Sequence, residues 1–279
     1  MVRLAENKDF DFVKKSWTVC FDDSPEFIDW NFEFNYSPKN TVIAEDDGIP
    51  ASVMQLVPYK MNLGGVSFDV RYISGVATLP EYRGRGLVRR LFDFGIPHMK
   101  SLGCDISILV PAVDGMYEKF GYRKICRGML CDANTANGFA AYNTIDEKLI
   151  STVQTLYRKE MTHKSVYIER STDNFRKILT DLLCLSHGSV LINERDGIPV
   201  GYAFAYPKDG IYKVCEICGD ISLNTKPAAA SPVMARIINP ESVAAKLSLE
   251  LPDLDAGALT EWVFDRFDTQ SKGYINLLL

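Results

Sequence analysis

Histidine is scarce in this chain. Only His98, His163 and His187 occur in 279 residues, well apart, and they form no constellation to which chemistry can be assigned. Long apolar runs are missing as well, so no segment reaches membrane-spanning length. The opening residues, MVRLAENKDFDFVKKSW, lack the basic-then-apolar order of a secretory leader. Basic charge is outweighed, with 31 Lys and Arg against 36 Asp and Glu, and the net charge of −5 argues against a nucleic-acid partner held by counterion release. The cysteines are seven, odd in number and scattered, which fits a reducing cytoplasm better than a disulfide framework. Cys215 and Cys218 make the one CxxC, within the strand-like VCEIC; no second pair accompanies it, so buried thiols are favoured over a metal site. GxGxxG and the P-loop lysine are both absent, which removes the Rossmann, kinase and Walker readings.

What is present is core material. Apolar residues make up 47% and charged residues 24%, the balance of a soluble globular protein, and the length suits two compact units. Apolar spacing predicts helices over 7–19 and 23–36. TVIAE, the turn DDGIP and ASVMQLVPYKM read as a hairpin, followed by a glycine turn at Asn62–Gly65 and the strand-like VSFDVRYISGVATL. LVRRLFDFGIPHMKSLG reads as a helix, CDISILVP as a buried strand, VDGMYEKFGY as a short helix with a turn, and RKICRGMLCD as a final strand. The order is that of a mixed α/β domain over 1–132.

Residues 133–144 are small, polar and unpatterned, the composition of a linker. Helical patterns at Asp146–Arg158 and Thr172–Leu185 precede SVLINERDGIPVGYAFAYPK, which repeats the first hairpin. Aligned on the shared DGIP, Val42, Ile43, Glu45 and Pro58 match Leu191, Ile192, Glu194 and Pro207. A degenerate second copy is therefore expected over 145–225, with a short C-terminal segment over 226–279 in which MARIINPESVAAKL and ALTEWVFDRF are predicted helical.

The stretch GVATLPEYRGRGLVRRLF passes from strand to helix through Gly84 and Gly86. Such a junction exposes unpaired backbone N–H groups at the positive end of a helix dipole, a site for phosphates. The glycines let an anion approach closely, and Arg83, Arg85, Arg89 and Arg90 add charge-assisted contacts. On residue types alone, a basic surface turn with glycine for geometry is an equal reading.

The context resembles motif A of the GNAT superfamily of acetyl-CoA-dependent N-acetyltransferases, written Arg/Gln-x-x-Gly-x-Gly/Ala and present here as Arg83, Gly86 and Val88. Val88 departs in bulk, so its side chain must point away from a diphosphate. ILVPAVDGMYEKFGYRKI likewise resembles the superfamily's later signature, a tyrosine shortly before an aromatic-Gly-aromatic turn. The whole chain resembles the enhanced-intracellular-survival (Eis) branch, which joins a GNAT domain to a degenerate GNAT repeat and a sterol-carrier-like domain, here truncated.

The resemblance implies a tandem GNAT architecture and transfer of acetyl from acetyl-CoA to a small cationic or lysine-like amine, without a metal. The backbones of Val76, Ala77 and Thr78 would pair with the pantetheine arm. The segment Arg83, Gly84, Arg85, Gly86, Leu87 and Val88 would hold the diphosphate. Tyr117 would protonate the departing thiolate, a role open to a phenol held near the sulfur; Tyr122 reads as the packing tyrosine. The carboxylate of Leu279 would take the amine proton if INLLL folds back, a frayed end being the other reading. Asp22, Asp23 and Glu26, with Trp30 and Phe34, are candidates for an acceptor pocket, and helix capping and core packing explain the same residue types. Two rival readings remain: a coenzyme A-binding GNAT fold without turnover, and a lipid carrier. The amine's identity and the oligomer are not fixed by the sequence, although members of this branch commonly form higher homo-oligomers.

Overall fold

The structure, a computed structural model, describes residues 1–113, 115–127, 131–133, 140–221, 225–227, 232–250, 256–267 and 273–274. Its strands in chain order are β1 (Val2–Leu4), β2 (Thr41–Asp46), β3 (Ile49–Leu63), β4 (Val66–Thr78), β5 (Ile106–Leu109), β6 (Arg123–Arg127), β7 (Cys131–Ala133), β8 (Ala140–Tyr142), β9 (Val166–Glu169), β10 (Ser189–Arg195), β11 (Ile198–Lys208), β12 (Ile211–Gly219), β13 (Thr225–Pro227), β14 (Pro232–Ile237) and β15 (Gly273–Tyr274). The α-helices are α1 (Phe10–Cys20), α2 (Pro25–Phe34), α3 (Leu87–Ser101), α4 (Glu147–Met161), α5 (Thr172–Thr180), α6 (Pro240–Leu247) and α7 (Ala256–Arg266). This is the mixed α/β class expected.

The chain forms two compact units. The first comprises Met1–Met61, Val66–Ile125 and Val233–Arg266. Its sheet runs β1-β2-β3-β4-β5-β14-β6, with β4 and β5 parallel and β14 antiparallel to β5. The β2–β3 turn places Asp47 (φ 49°) and Gly48 (φ 80°) in the left-handed region, the two-residue geometry that matches strand twist. One face of the sheet packs on α3, whose Leu87, Leu91, Phe92 and Met99 join Met54, Leu56, Ile73 and Leu109. The other face packs on α1 and α2, with Val13, Trp17, Ile28 and Phe32 against Ile43, Val53 and Ala77. Each such buried side chain contributes about 1.5–3 kcal/mol.

β14 departs from the sequence reading, which made MARI the start of a helix. Val233, Met234, Ala235 and Ile237 are buried between β5 and β6, and helix begins only at Pro240, after the Asn239 cap. Asp105 fastens this segment. Its carbonyl accepts from the N–H groups of Ile238 and Asn239 at 2.8 and 3.2 Å, and its carboxylate accepts from Ser242 and Lys246 at 2.6 Å each. Of the predicted C-terminal segment, the stretch Val233–Arg266 belongs to the first unit.

The second unit takes Asn62–Gly65 and the described residues from Cys126 to Pro232, with Phe267 and Gly273–Tyr274. Its six-stranded sheet runs β13-β7-β12-β11-β10-β8. The predicted single strand RKICRGMLCD is thus split, β6 going to the first sheet and β7 to the second, and the predicted linker contains β8. The second DGIP turn repeats the first, with Asp196 at φ 52° and Gly197 at φ 73°. In this core the side chains of Arg170 and Glu216 are 2% and 0% exposed and pair at 2.8 Å. Tyr202 donates to the same carboxylate at 2.5 Å, and the guanidinium lies 4.6 Å from the Tyr157 ring centre. No described helix is long and apolar enough to cross a membrane.

Candidate active site

β4 and β5 pair from Val70–Ile106 to Ile73–Leu109 and then part. β4 runs on to Thr78, while the chain beyond Leu109 leaves the sheet, so a cleft opens between them. Backbone groups along a strand alternate sides. The Asp69 carbonyl accepts from Asp105 N–H on the β5 side, whereas Leu79 N–H donates to the Ala51 carbonyl on the β3 side. These residues are an even number apart, so one extra residue must enter between them. Gly75, at φ 56°, is where it enters as a bulge. The alternation then turns the backbones of Val76 and Thr78 toward the cleft and that of Ala77 toward β3. The Ala77 carbonyl accepts from the Ser52 hydroxyl at 2.8 Å, and the Thr78 carbonyl accepts from Arg83 Nε at 3.2 Å and Cys20 Sγ at 3.4 Å. Trp17 roofs the bulge so closely that a Cβ on Gly75 would lie 2.5 Å from its ring.

Beyond the cleft, Gly84 (φ 77°) and Gly86 (φ 73°) bend the chain into α3. No side chain caps this helix, so the N–H groups of its first turn face outward, and a Cβ at either glycine would meet no atom within 4 Å. The arginines divide their labour. Arg85 pairs with Asp46 at 2.5 Å, and Arg90 donates to the carbonyls of Met1 and Glu45. Arg83 braces Thr78, and Arg89 is exposed. The Val88 side chain is partly buried against the α3-face core.

Tyr117 lies on the same core, 6% exposed, edge-on to Phe92 at 5.9 Å. The short helix predicted around it is a single turn, Glu118–Phe120, closed by Gly121 at φ 78°. Burial pushes the Tyr117 hydroxyl's pKa up, so the proton stays on at neutral pH. Tyr122 is fully buried and donates to Ser107 at 2.7 Å, the packing role expected. Tyr72 on β4 was not singled out in the sequence. Burial pushes it to about 12, with the charge of Tyr117 adding to the rise.

Residues 1–125 match the acetyltransferase (GNAT) domain family. The fold is a GNAT fold. A GCN5-related N-acetyltransferase from Anabaena variabilis is similar over 86% of this chain and 73% of its own, at 16% identity and a TM-score of 0.67. A probable N-acyltransferase from Enterococcus faecalis matches over 88% and 74%, at 16% identity and 0.68. Eis1 from Mycobacterium abscessus matches over 87% and 75%, at 12% identity and 0.61. No curated protein matches the sequence.

The acceptor candidates of this GNAT-fold unit fall on the α1–α2 connection and on α2. Asp22 and Glu26 are exposed, while Asp23 accepts from the Trp17 indole at 2.8 Å. Ser24, not an acidic residue, caps α2. Trp30 is 5% exposed between Phe27 and Phe34, and its indole N–H has no partner among the described residues; Phe34 is 43% exposed. Cys20 Sγ, against the Thr78 carbonyl, ties the end of α1 to the end of β4. Leu279 lies outside the described residues. Among the described residues no His, Cys, Asp and Glu side chains gather as a metal site, and the thiols of Cys215 and Cys218 are buried and pushed up in pKa, Cys218 to about 12.

Proposed function

We propose that the GNAT-fold unit transfers an acetyl group from acetyl-CoA directly to a primary amine of a small cationic or lysine-like acceptor. Three features support this reading: the uncapped glycine turn before α3, the bulged end of β4 that leads into it, and Tyr117 in the same core cluster as Val76 and Val88. The outward N–H groups from Gly84 to Val88 suit a diphosphate. The cleft edge of β4 at Val76 and Thr78 suits the amides of a pantetheine arm. Acetyl-CoA supplies the acyl thioester, whose carbonyl carbon the amine attacks, forming a C–N bond as the C–S bond breaks. The amine gives up one proton to water before it attacks and a second once the C–N bond has formed. Tyr117 donates its proton to the departing sulfur and is reprotonated from solvent, and burial keeps the phenol protonated beforehand.

An acidic α1–α2 connection beside the β4 end favours a cationic acceptor through Asp22 and Glu26, with the exposed Phe34 offering an aromatic face and the buried Trp30 backing it. The test is thiol release from acetyl-CoA with a panel of polyamines, aminoglycosides and lysine peptides. Release with any of them supports acetyl transfer. A thermal shift with acetyl-CoA but no consumption of any acceptor would leave a binding protein and remove the catalytic reading.

A further inference from the structure

We propose that Arg236, on strand β14, is a positioning residue for Tyr117. The inference rests on the functional reading above and adds a residue far from the cleft in sequence. Met234 and Ile238 flank Arg236 at two-residue spacing, and both lie in the core cluster that holds Tyr117, Phe120 and Tyr122. The period of a strand sends the Arg236 side chain to that same face. There Arg236 Nη1 donates to the Phe120 carbonyl.

That carbonyl ends the turn on which Tyr117 sits. A carbonyl at the end of a helical turn lacks a backbone donor, and the guanidinium supplies one. The rest of the turn closes on Tyr117 itself, whose carbonyl accepts from Phe120 N–H at 3.0 Å and Tyr122 N–H at 3.4 Å. Gly121 completes the fit. Its φ of 78° demands glycine, and a Cβ there would lie 3.1 Å from Arg236 Nη1, so the guanidinium fills the space beside it. On the far side the Tyr122 hydroxyl is anchored to Ser107, the residue opposite Arg236 in the β5–β14 register. The C-terminal end of the turn is thereby held from both β5 and β14, and Tyr117 stands at its start. Loss of the guanidinium frees the Phe120 carbonyl and lets the phenol leave the thiol path.

The experiment compares wild type, Arg236→Met, Arg236→Lys, Tyr117→Phe and Arg236→Met/Tyr117→Phe in the full chain. Amide hydrogen exchange over residues 117–122 is read first, because it needs no turnover. Arg236→Met is expected to speed it about tenfold, the scale of one charge-assisted hydrogen bond, and Arg236→Lys to restore part of the protection. In thiol release with a responsive amine, Arg236→Met is expected to lower kcat about tenfold at unchanged acetyl-CoA affinity. In the Tyr117→Phe background it is expected to cost nothing further. Unchanged exchange over 117–122, or a kcat loss that adds fully to that of Tyr117→Phe, overturns the proposal. If Arg236→Met does not fold, Arg236→Gln, whose shorter amide does not reach the Phe120 carbonyl, carries the same readings, and wild-type protection and kcat in that variant overturn the proposal. Absence of turnover in the wild type counts against acetyl transfer, while the exchange result still decides whether Arg236 holds the turn.

Discussion

Replacing Gly86 by alanine separates the conformational role of the glycine turn from its role in binding. Gly86 sits at φ 73°, yet a Cβ there meets nothing within 4 Å. The cost to the protein alone is therefore the left-handed penalty of an L-residue, about 1–2 kcal/mol. For a protein of this size that lowers Tm by about 2–4 °C per kcal/mol. Gly75→Ala is the contrasting control, because its φ of 56° is joined by a collision with Trp17 at 2.5 Å. That collision adds about 1–3 kcal/mol of overpacking. If the turn holds the diphosphate as proposed, the penalty at Gly86 appears in full only with ligand, since the new methyl then occupies the space that the diphosphate needs. Wild type at a hundredfold excess of acetyl-CoA over Kd gains about 2.7 kcal/mol. A tenfold loss of affinity in Gly86→Ala would reduce that gain by about 1.4 kcal/mol, roughly half. Differential scanning fluorimetry with and without acetyl-CoA reads both effects. A Gly86→Ala protein that keeps the full ligand-induced shift would refute the assignment of this turn to the diphosphate.

Three further outcomes are expected. Tyr117→Phe should lower kcat by about 10²–10⁴ with acetyl-CoA affinity retained; because burial raises this hydroxyl's pKa, wild-type kcat should show no alkaline loss from Tyr117 below about pH 10, as a pH–rate profile would reveal. The hydrogen bond and charge of Arg3 hold Asp9 below the usual carboxylate range, so the stability it gives is present above about pH 4 and is lost as pH falls through the lowered pKa. Urea unfolding of Asp9→Asn should accordingly lose its difference from wild type in acid; a constant difference across pH would discard that linkage. Glu216→Gln leaves the Arg170 guanidinium buried against a neutral group and should destabilise the second unit by about 3–5 kcal/mol in denaturant titration, a change within 0.5 kcal/mol being the contrary result.

Local features were legible in the sequence because local chemistry fixes them. The DGIP turns, the glycine junction before α3 and the Tyr122 packing position each depend on residues within one turn of themselves. The outward N–H groups at the start of α3 followed from helix geometry once Gly86 was placed. What the sequence concealed depends on neighbours far along the chain. Nothing in VMARII distinguishes a buried strand from a buried helix, and only the slot between β5 and β6 makes it β14. The break between β6 and β7 is likewise set by two sheets competing for adjacent segments. Arg236 carried no pattern at all, since its meaning comes from the carbonyl of Phe120. The bulge at Gly75 was hidden inside an ordinary strand run, although it decides which of Val76, Ala77 and Thr78 faces the cleft. Asp23, a candidate for the acceptor pocket, also accepts from the Trp17 indole, a partner that no local pattern announces.

The central claim is acyl transfer in the cleft between β4 and β5. Its most direct measurement follows thiol and acetylated amine together, in one reaction of the purified full chain with acetyl-CoA and a cationic amine. The account predicts the two products in equal amounts, at a rate that collapses in Tyr117→Phe. Thiol without acetylated amine, or equal rates in the two proteins, would contradict it.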